Sequence, residues 1–138
     1  MDNTRKVAQE FMRLLEAKEV AKAYALIGRR GRFILVGTTP ISGVFHGWGE
    51  FIATMGPILA DLPDPAQLRF SELIVEGDRA VILGSGQGVA LGGRPYTQPY
   101  YAFVARVEGE HFSELIEFCD TEMIESAYFN RRMIAAAQ

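Results

Sequence analysis

The sequence predicts an α+β fold: three helices laid against one face of an antiparallel sheet, with a short C-terminal helix. Two observations carry the class. Apolar residues recur at helical spacing in three early segments, and the later part consists of strand-like runs separated by glycine-containing turns. Helices grouped before strands point to one helical layer on one sheet, not to alternating βαβ units.

In the first helix, Thr4 to Ala17, Val7, Phe11, Leu14 and Leu15 form an inward stripe, and Asn3 suits the N-cap. A second short helix carries Val20, Ala23, Tyr24 and Ile27 on one face, with Gly28 placed for a left-handed C-cap. Phe33 to Val36 reads as a buried strand, and GTTPISGVFHG as a loop with a short extended piece. Trp48 to Leu62 returns to helical spacing through Phe51, Met55, Ile58 and Leu59, and DLPDP ends it. Four strands then follow: Leu68 to Glu76, Arg79 to Leu91, Arg94 to Val107 and Glu110 to Thr121. Gly77-Asp78, Gly92-Gly93 and Glu108-Gly109 are the expected two-residue turns. Asp120 and Thr121 can cap the last helix, whose apolar side holds Ile124, Tyr128 and Phe129.

With 138 residues, 49% of them hydrophobic and 22% charged, the chain is expected to form one domain, residues 1–138, with an adequate core. No apolar run reaches the roughly 20 residues that span a bilayer, and the charged start MDNTRKVAQEFMRLLEAKE carries no legible export signal. The cytoplasm is the expected location, with no membrane partner. Cys119 is the single cysteine, and two histidines form no recognisable ligand set, so neither a disulfide nor a metal is expected. A net charge of −3, with Arg29, Arg30 and Arg32 as the only basic cluster, argues against a nucleic-acid footprint. That cluster reads as a solvated loop.

GSGQG at 84 to 88 is the one motif that suggests phosphate binding, and the residues after it exclude that reading. Val89 and Ala90 stand where a P-loop needs Lys and Ser or Thr, and Gly92-Gly93 leaves no room for the helix that would hold an anion. The segment is expected to be strand, its glycines letting the sheet bend or another surface approach.

Two-residue turns fix a register. Gly92-Gly93 sets Gln87 opposite Gln98 and Ser85 opposite Tyr100; Glu108-Gly109 sets Ala102 opposite Leu115, Tyr100 opposite Glu117, and Gln98 opposite Cys119. One face then carries Ser85, Gln87, Gln98, Tyr100, Leu115, Glu117 and Cys119. The other carries Gly84, Gly86, Gly88, Tyr101, Phe103, Phe112, Ile116 and Phe118 and is too apolar for water. Helices cover one face only, so the other is expected to meet a second copy, giving a homodimer through the convex sheet face.

The helix pattern, FHG before the third helix, PYTQPYYAFVARVEG and the closing ELIEFCDT together resemble the nuclear transport factor 2-like superfamily across nearly the whole chain. The likeness is greatest to the SnoaL-like polyketide cyclase and ketosteroid isomerase-like branches. It implies a cone-shaped roll in which a strongly curved sheet wraps around helices, with a deep pocket for a small apolar or amphipathic molecule. Cofactor-independent isomerases, cyclases and epoxide hydrolases occur in the superfamily, beside members that only bind. The isomerase tyrosine falls at Phe11, its aspartate near Leu35 and its second oxyanion acid near Tyr101 or Ala102, so steroid isomerisation by that route is not expected. The Arg/Asp pair of limonene epoxide hydrolase-like members is missing from LGSGQG, although their other carboxylate aligns with Glu117. Against the SnoaL-like acid and histidine, the candidates are Glu117, Asp120 and His46.

Glu117 is the expected general base, the alternative being a carboxylate held by a structural hydrogen bond. Tyr100 is the candidate donor to a developing oxyanion, and His46 is the assisting group or a structural histidine. Gln87 and Gln98 would orient a ligand oxygen or satisfy each other. Ser85, Tyr96, Trp48, Phe11, Tyr24, Met55, Leu115 and Cys119 complete the expected ligand-binding set, with core packing as the alternative role for the aromatic residues and Met55. The thiol of Cys119 is read as inert and Asp120 as a helix cap. Two functions follow: cofactor-independent proton transfer on an apolar carbonyl compound, or ligand binding without chemistry.

Overall fold

The computed structural model describes residues 3–60 and 65–131. Helix α1 (Asn3–Glu16) buries Val7, Phe11, Leu14 and Leu15, the stripe its spacing predicts. The Asn3 side-chain amide donates to the Gly109 carbonyl, fastening the start of α1 to a strand turn. Helix α2 (Val20–Tyr24) is shorter than expected, because Ile27 opens strand β1 (Ile27–Leu35) and Gly28 is strand, not a cap. Ile27 pairs with Phe112, and the Phe112 N–H donates to the Leu26 carbonyl at 2.8 Å; the available strand partner overrides helical periodicity. Arg29, Arg30 and Arg32 are thus exposed strand residues, not a loop, and Arg32 forms an ion pair with Glu114 of the neighbouring strand.

Strand β2 (Gly43–His46) and helix α3 (Gly47–Ala60) follow. The expected helix stop in DLPDP falls largely outside the described residues. The remaining strands are β3 (Gln67–Glu76), β4 (Arg79–Val89), β5 (Pro95–Glu108) and β6 (His111–Phe118), and helix α4 (Thr121–Phe129) closes the fold. GSGQG is therefore strand. Cβ atoms at Gly84 and Gly86 would lie 2.5 Å from the Arg69 carbonyl oxygen and 2.5 Å from Leu68 Cδ2, respectively, so both glycines permit close approach of β3.

The six strands lie in the order β2-β1-β6-β5-β4-β3. The sheet is mixed, not wholly antiparallel, because β1 runs parallel to β6. Nor do the three helices form an uninterrupted N-terminal block, since β1 and β2 precede α3. Irregularities interrupt the β1/β6, β3/β4, β4/β5 and β5/β6 ladders, and such bulges bend a sheet. Helix α1 packs across β3, β4 and β5, α3 against β1 and β2, and α4 against β5. The interior centres on Phe11, whose ring meets Tyr24, Phe103 and Phe112 edge-on at 5.6, 5.2 and 5.2 Å. Among the described residues no helix is long and apolar enough to cross a membrane.

Two of the three hairpin registers differ from expectation. Gly77-Asp78 does join Glu76 to its partner Arg79. After β4, however, a short 3-10 turn at Leu91–Gly93 replaces the two-residue turn and sets Val89 against Pro95. After β5 the turn is Gly109-Glu110, so Glu108 pairs with His111. A bulge at Pro99 and Tyr100, where proline offers no N–H to the ladder, shifts the register again between Gly86↔Gln98 and Gly84↔Tyr101. As a result Phe103, not Tyr100, faces Glu117, Ala105 faces Leu115, and Gln98 faces Gly86 instead of Gln87.

These shifts redistribute the faces. Leu115 and Glu117 share the buried inner face with Tyr101, Phe103 and Phe112, from which the expected register separates them. The outer face carries a registered β-branched row across all six strands: Ile74, Val81, Val104, Ile116, Ile34 and Val44. Beside it runs a row of both charge signs, Glu76, Arg79, Arg106, Glu114 and Arg32, ending at His46.

Candidate functional site

Between the inner sheet face and the helices lies a cavity of about 110 Å³. Its apolar wall includes Leu15, Leu35, Phe33, Phe51, Met55 and Ile58; its polar atoms come from Glu117 and the tyrosines Tyr24, Tyr96, Tyr101 and Tyr128. Ligand pockets ordinarily enclose about 300 Å³ or more, and an apolar cavity of about 150 Å³ holds benzene. The space therefore suits roughly one small ring.

Glu117 reaches this cavity because β6 alternates Leu115 and Glu117 inward with Ile116 and Phe118 outward. It is only 9% exposed. The Tyr24 hydroxyl, brought over by α2, donates to Glu117 Oε1 at 2.5 Å. Burial raises the Glu117 pKa from 4.5 to about 7, and the Tyr24 hydrogen bond opposes that rise. No cation among the described residues contributes to the shift. A carboxyl poised there takes or releases a proton near neutrality. Tyr24 stacks on Phe51 at 4.7 Å and meets Phe33 edge-on at 5.4 Å, which fixes its ring. Burial holds the Tyr24, Tyr96, Tyr101 and Tyr128 hydroxyls above their ordinary pKa, so they remain protonated donors.

A second polar group adjoins the cavity. Gln98 is fully buried, accepts from the Asp120 N–H through Oε1 at 2.8 Å, and donates from Nε2 to the Asp120 carbonyl at 2.8 Å. Nε2 also donates to the Tyr96 hydroxyl at 3.2 Å, and the Tyr96 and Tyr101 hydroxyls share a short hydrogen bond. The Asp120 side chain accepts from the Glu122 and Met123 N–H groups, capping α4.

The expected site residues thus separate. Glu117, Tyr24, Tyr96 and Met55 line the cavity, and Gln98 touches it through Tyr96. Phe11 and Leu115 are buried core behind it, and Trp48 lies 6.2 Å from Phe51, centroid to centroid, outside the lining. Tyr100 is 85% exposed, because the bulge turns it outward while Tyr101 turns inward. His46 is exposed on β2 opposite Arg32, since Phe45 takes the inward position there. Ser85 and Gln87 line open grooves beside Gln98 and Pro99, Gln87 being exposed. Cys119 lines the Ser85 groove with Tyr100 and Phe118, and burial pushes its thiol pKa up, which disfavours the thiolate. Tyr101 and Tyr128 line the cavity as well, although the expected register sets Tyr101 on the other face. Tyr101 is legible only once the Pro99 bulge is known, whereas Tyr128 lies on the expected apolar face of the last helix. No group of three or more metal-ligating side chains occurs among the described residues.

No protein-family model and no curated protein matches the chain. Solved structures do match it in fold. A nuclear transport factor 2-like protein of unknown function from Burkholderia pseudomallei is 23% identical, with a TM-score of 0.78 over 93% of this chain and 98% of that one. A protein with a ketosteroid isomerase-like fold from Catenulispora acidiphila, solved in complex with trimethylamine, is 12% identical, with a TM-score of 0.69 over 89% and 92%. A protein assigned to the SnoaL-like polyketide cyclases, from Jannaschia, is 13% identical, with a TM-score of 0.71 over 94% and 94%. The chain has the nuclear transport factor 2-like fold.

Proposed function

We propose that this protein performs cofactor-independent proton transfer on a small, apolar carbonyl compound, with Glu117 as the base. The observation that carries this reading is a carboxyl held near neutrality inside an apolar cavity, with Tyr24 fixing one of its oxygens. The Glu117 carboxylate takes a proton from the carbon next to the carbonyl, the C–H electron pair moves into the enolate, and the carboxylic acid returns a proton to carbon. Burial of the carboxyl and a matched pKa favour such a step. The structural likeness supplies the architecture, and the reaction is argued from the side chains alone.

Deuterium exchange tests it without knowledge of the physiological substrate. With cyclopentanone in D2O, the wild type is expected to accelerate exchange at the α-carbon, more so as pH rises through about 7. Glu117→Gln should remove the acceleration; undiminished exchange in that variant excludes Glu117 as base.

One observation favours a second reading, retention of a ligand without chemistry. A carboxyl with no partner cation, surrounded by aromatic rings, is suited to a small organic ammonium ion, and the Catenulispora protein was solved with trimethylamine. Native mass spectrometry recovering an unaltered amine, together with no exchange of any ketone, would select this reading over the first.

We also propose a homodimer through the convex face. Its apolar row is continuous across six strands, with Ile74 and Val44 about half exposed, and the neighbouring charged row holds both signs, as pairing with a second copy requires.

A further inference from the structure

Adjacent residues of a strand point to opposite faces, so Arg29 and Arg30 in a regular β1 would stand on either side of the sheet. They do not. Between the pairs Ile27↔Phe112 and Arg32↔Glu114, β1 takes five steps while β6 takes two, and Gly28 to Gly31 have no partner in the register with β6 or with β2. This bulge brings both arginines to one open cleft of about 430 Å³, which Glu108 and His111 also line.

The flanking glycines let the bulge fold tightly. A Cβ at Gly31 would lie 2.5 Å from the Phe112 carbonyl oxygen, and one at Gly28 would lie 3.3 Å from the His111 Cβ. On the other side, a Cβ at Gly47, whose φ is +82°, would lie 2.5 Å from the Arg29 carbonyl oxygen. The backbone is thus held between β6 and the start of α3, and the two guanidiniums project from a fixed base.

The charges in the cleft are unbalanced. Arg32, the residue after Gly31, pairs with Glu114, but among the described residues neither Arg29 nor Arg30 forms an ion pair, with Glu108 or any other carboxylate. Two like charges drawn to one cleft repel each other unless an anion joins them. A chain of net charge −3 has no general attraction for anions, so such a site is local.

We infer that this cleft binds a phosphate monoester that also carries a hydroxyl group. The phosphate oxygens accept from the Arg29 and Arg30 guanidiniums, whose planar forks match phosphate geometry, with His111 as a further donor. Glu108 repels a bare anion but accepts from a hydroxyl on the same molecule. No residue of the cleft lines the cavity that holds Glu117, and Phe112, packed edge-on against Phe11 in the core, closes the cleft's floor. The site is therefore separate from the chemistry proposed above.

The test is titration calorimetry at low salt with glycerol 3-phosphate, methyl phosphate and glycerol. The wild type should bind glycerol 3-phosphate one to one, methyl phosphate several-fold more weakly, and glycerol not at all. Arg29→Gln and Arg30→Gln should each weaken binding about tenfold, one charge-assisted hydrogen bond, and both positions are exposed, so the fold is not at risk. Arg5→Gln, which removes the same charge from α1, should leave binding unchanged. Glu108→Gln should tighten methyl phosphate and narrow the preference for the hydroxyl-bearing ligand. Equal losses in Arg5→Gln and Arg30→Gln, or full binding in the double variant, overturn the cleft as the site. An unchanged preference in Glu108→Gln overturns the role of that carboxylate. Binding of an RNA oligonucleotide in place of glycerol 3-phosphate, or of no anion at all, overturns the assignment and leaves the reading of Glu117 untouched.

Discussion

Glu117 should make the protein less stable as pH rises through the weakly acidic range. Its pKa stands at about 7 in the folded chain against an ordinary 4.5, so between these values the folded protein holds a proton that the unfolded chain has released. Stability from this group is complete below about pH 4.5, falls by roughly 1.4 kcal/mol per pH unit, and is lost above about pH 7. The total is about 3 kcal/mol, a large fraction of the 5–15 kcal/mol typical of a domain. Glu117→Gln keeps the shape and an acceptor for Tyr24 but does not titrate. Urea unfolding of both proteins at pH 5, 6, 7 and 8 isolates the effect, because every other titrating group cancels in the difference. The variant should gain on the wild type steadily up to pH 7 and then hold its advantage, with a melting-temperature difference of roughly 10 °C at pH 8. A difference that stays constant with pH would show that Glu117 is ionised throughout, and the argument from burial would fail.

Removing the Tyr24 hydroxyl should move the exchange profile the other way from what loss of a base would do. Tyr24 donates to the ionised carboxylate and holds its pKa down, so in Tyr24→Phe the midpoint of the pH–rate curve should rise above about 7; an unmoved midpoint would mean that the bond does not bear on ionisation. Gln98→Leu leaves the part-buried N–H and carbonyl of Asp120 without side-chain partners, at a cost of about 2 kcal/mol in urea unfolding; a loss under about 0.5 kcal/mol would show that water replaces the amide. Val104→Arg, at the centre of the convex apolar row, should halve the mass seen by light scattering, and a wild type that is already monomeric would remove the proposed dimer.

The helices were legible wherever apolar spacing and burial coincide, as at Val7, Phe11, Leu14 and Leu15. Legibility failed where a distant partner decides. Ile27 has a place in a helical stripe, yet it pairs with Phe112, more than 80 residues away, and no local pattern announces that partner. The same limit hid the parallel β1/β6 pairing. Glu117 could be read as inward because strand alternation beside the apolar Leu115 survives a change of partner register. Tyr100 could not, since its direction depends on a bulge two residues long at Pro99, and a one-residue displacement exchanges the faces.

The bulge itself links the two surfaces the chain presents. Without it, Tyr96, Gln98 and Tyr100 would point inward in regular alternation and Tyr101 would face out. With the extra residue, Tyr96 and Gln98 stay inside, Tyr101 joins them beneath Gly84 and Gly86, and Tyr100 goes to the convex face near Phe118. Gly86 has the space for this: a Cβ there would lie 2.9 Å from the Tyr101 ring. Gly86 therefore makes room for a tyrosine, and that tyrosine brings a further hydroxyl to the cavity that holds Glu117. A substitution at Gly86 should consequently lower stability in urea unfolding, through clashes with Leu68 and Tyr101, while leaving the Glu117 titration in place, because Tyr24 reaches Glu117 from α2.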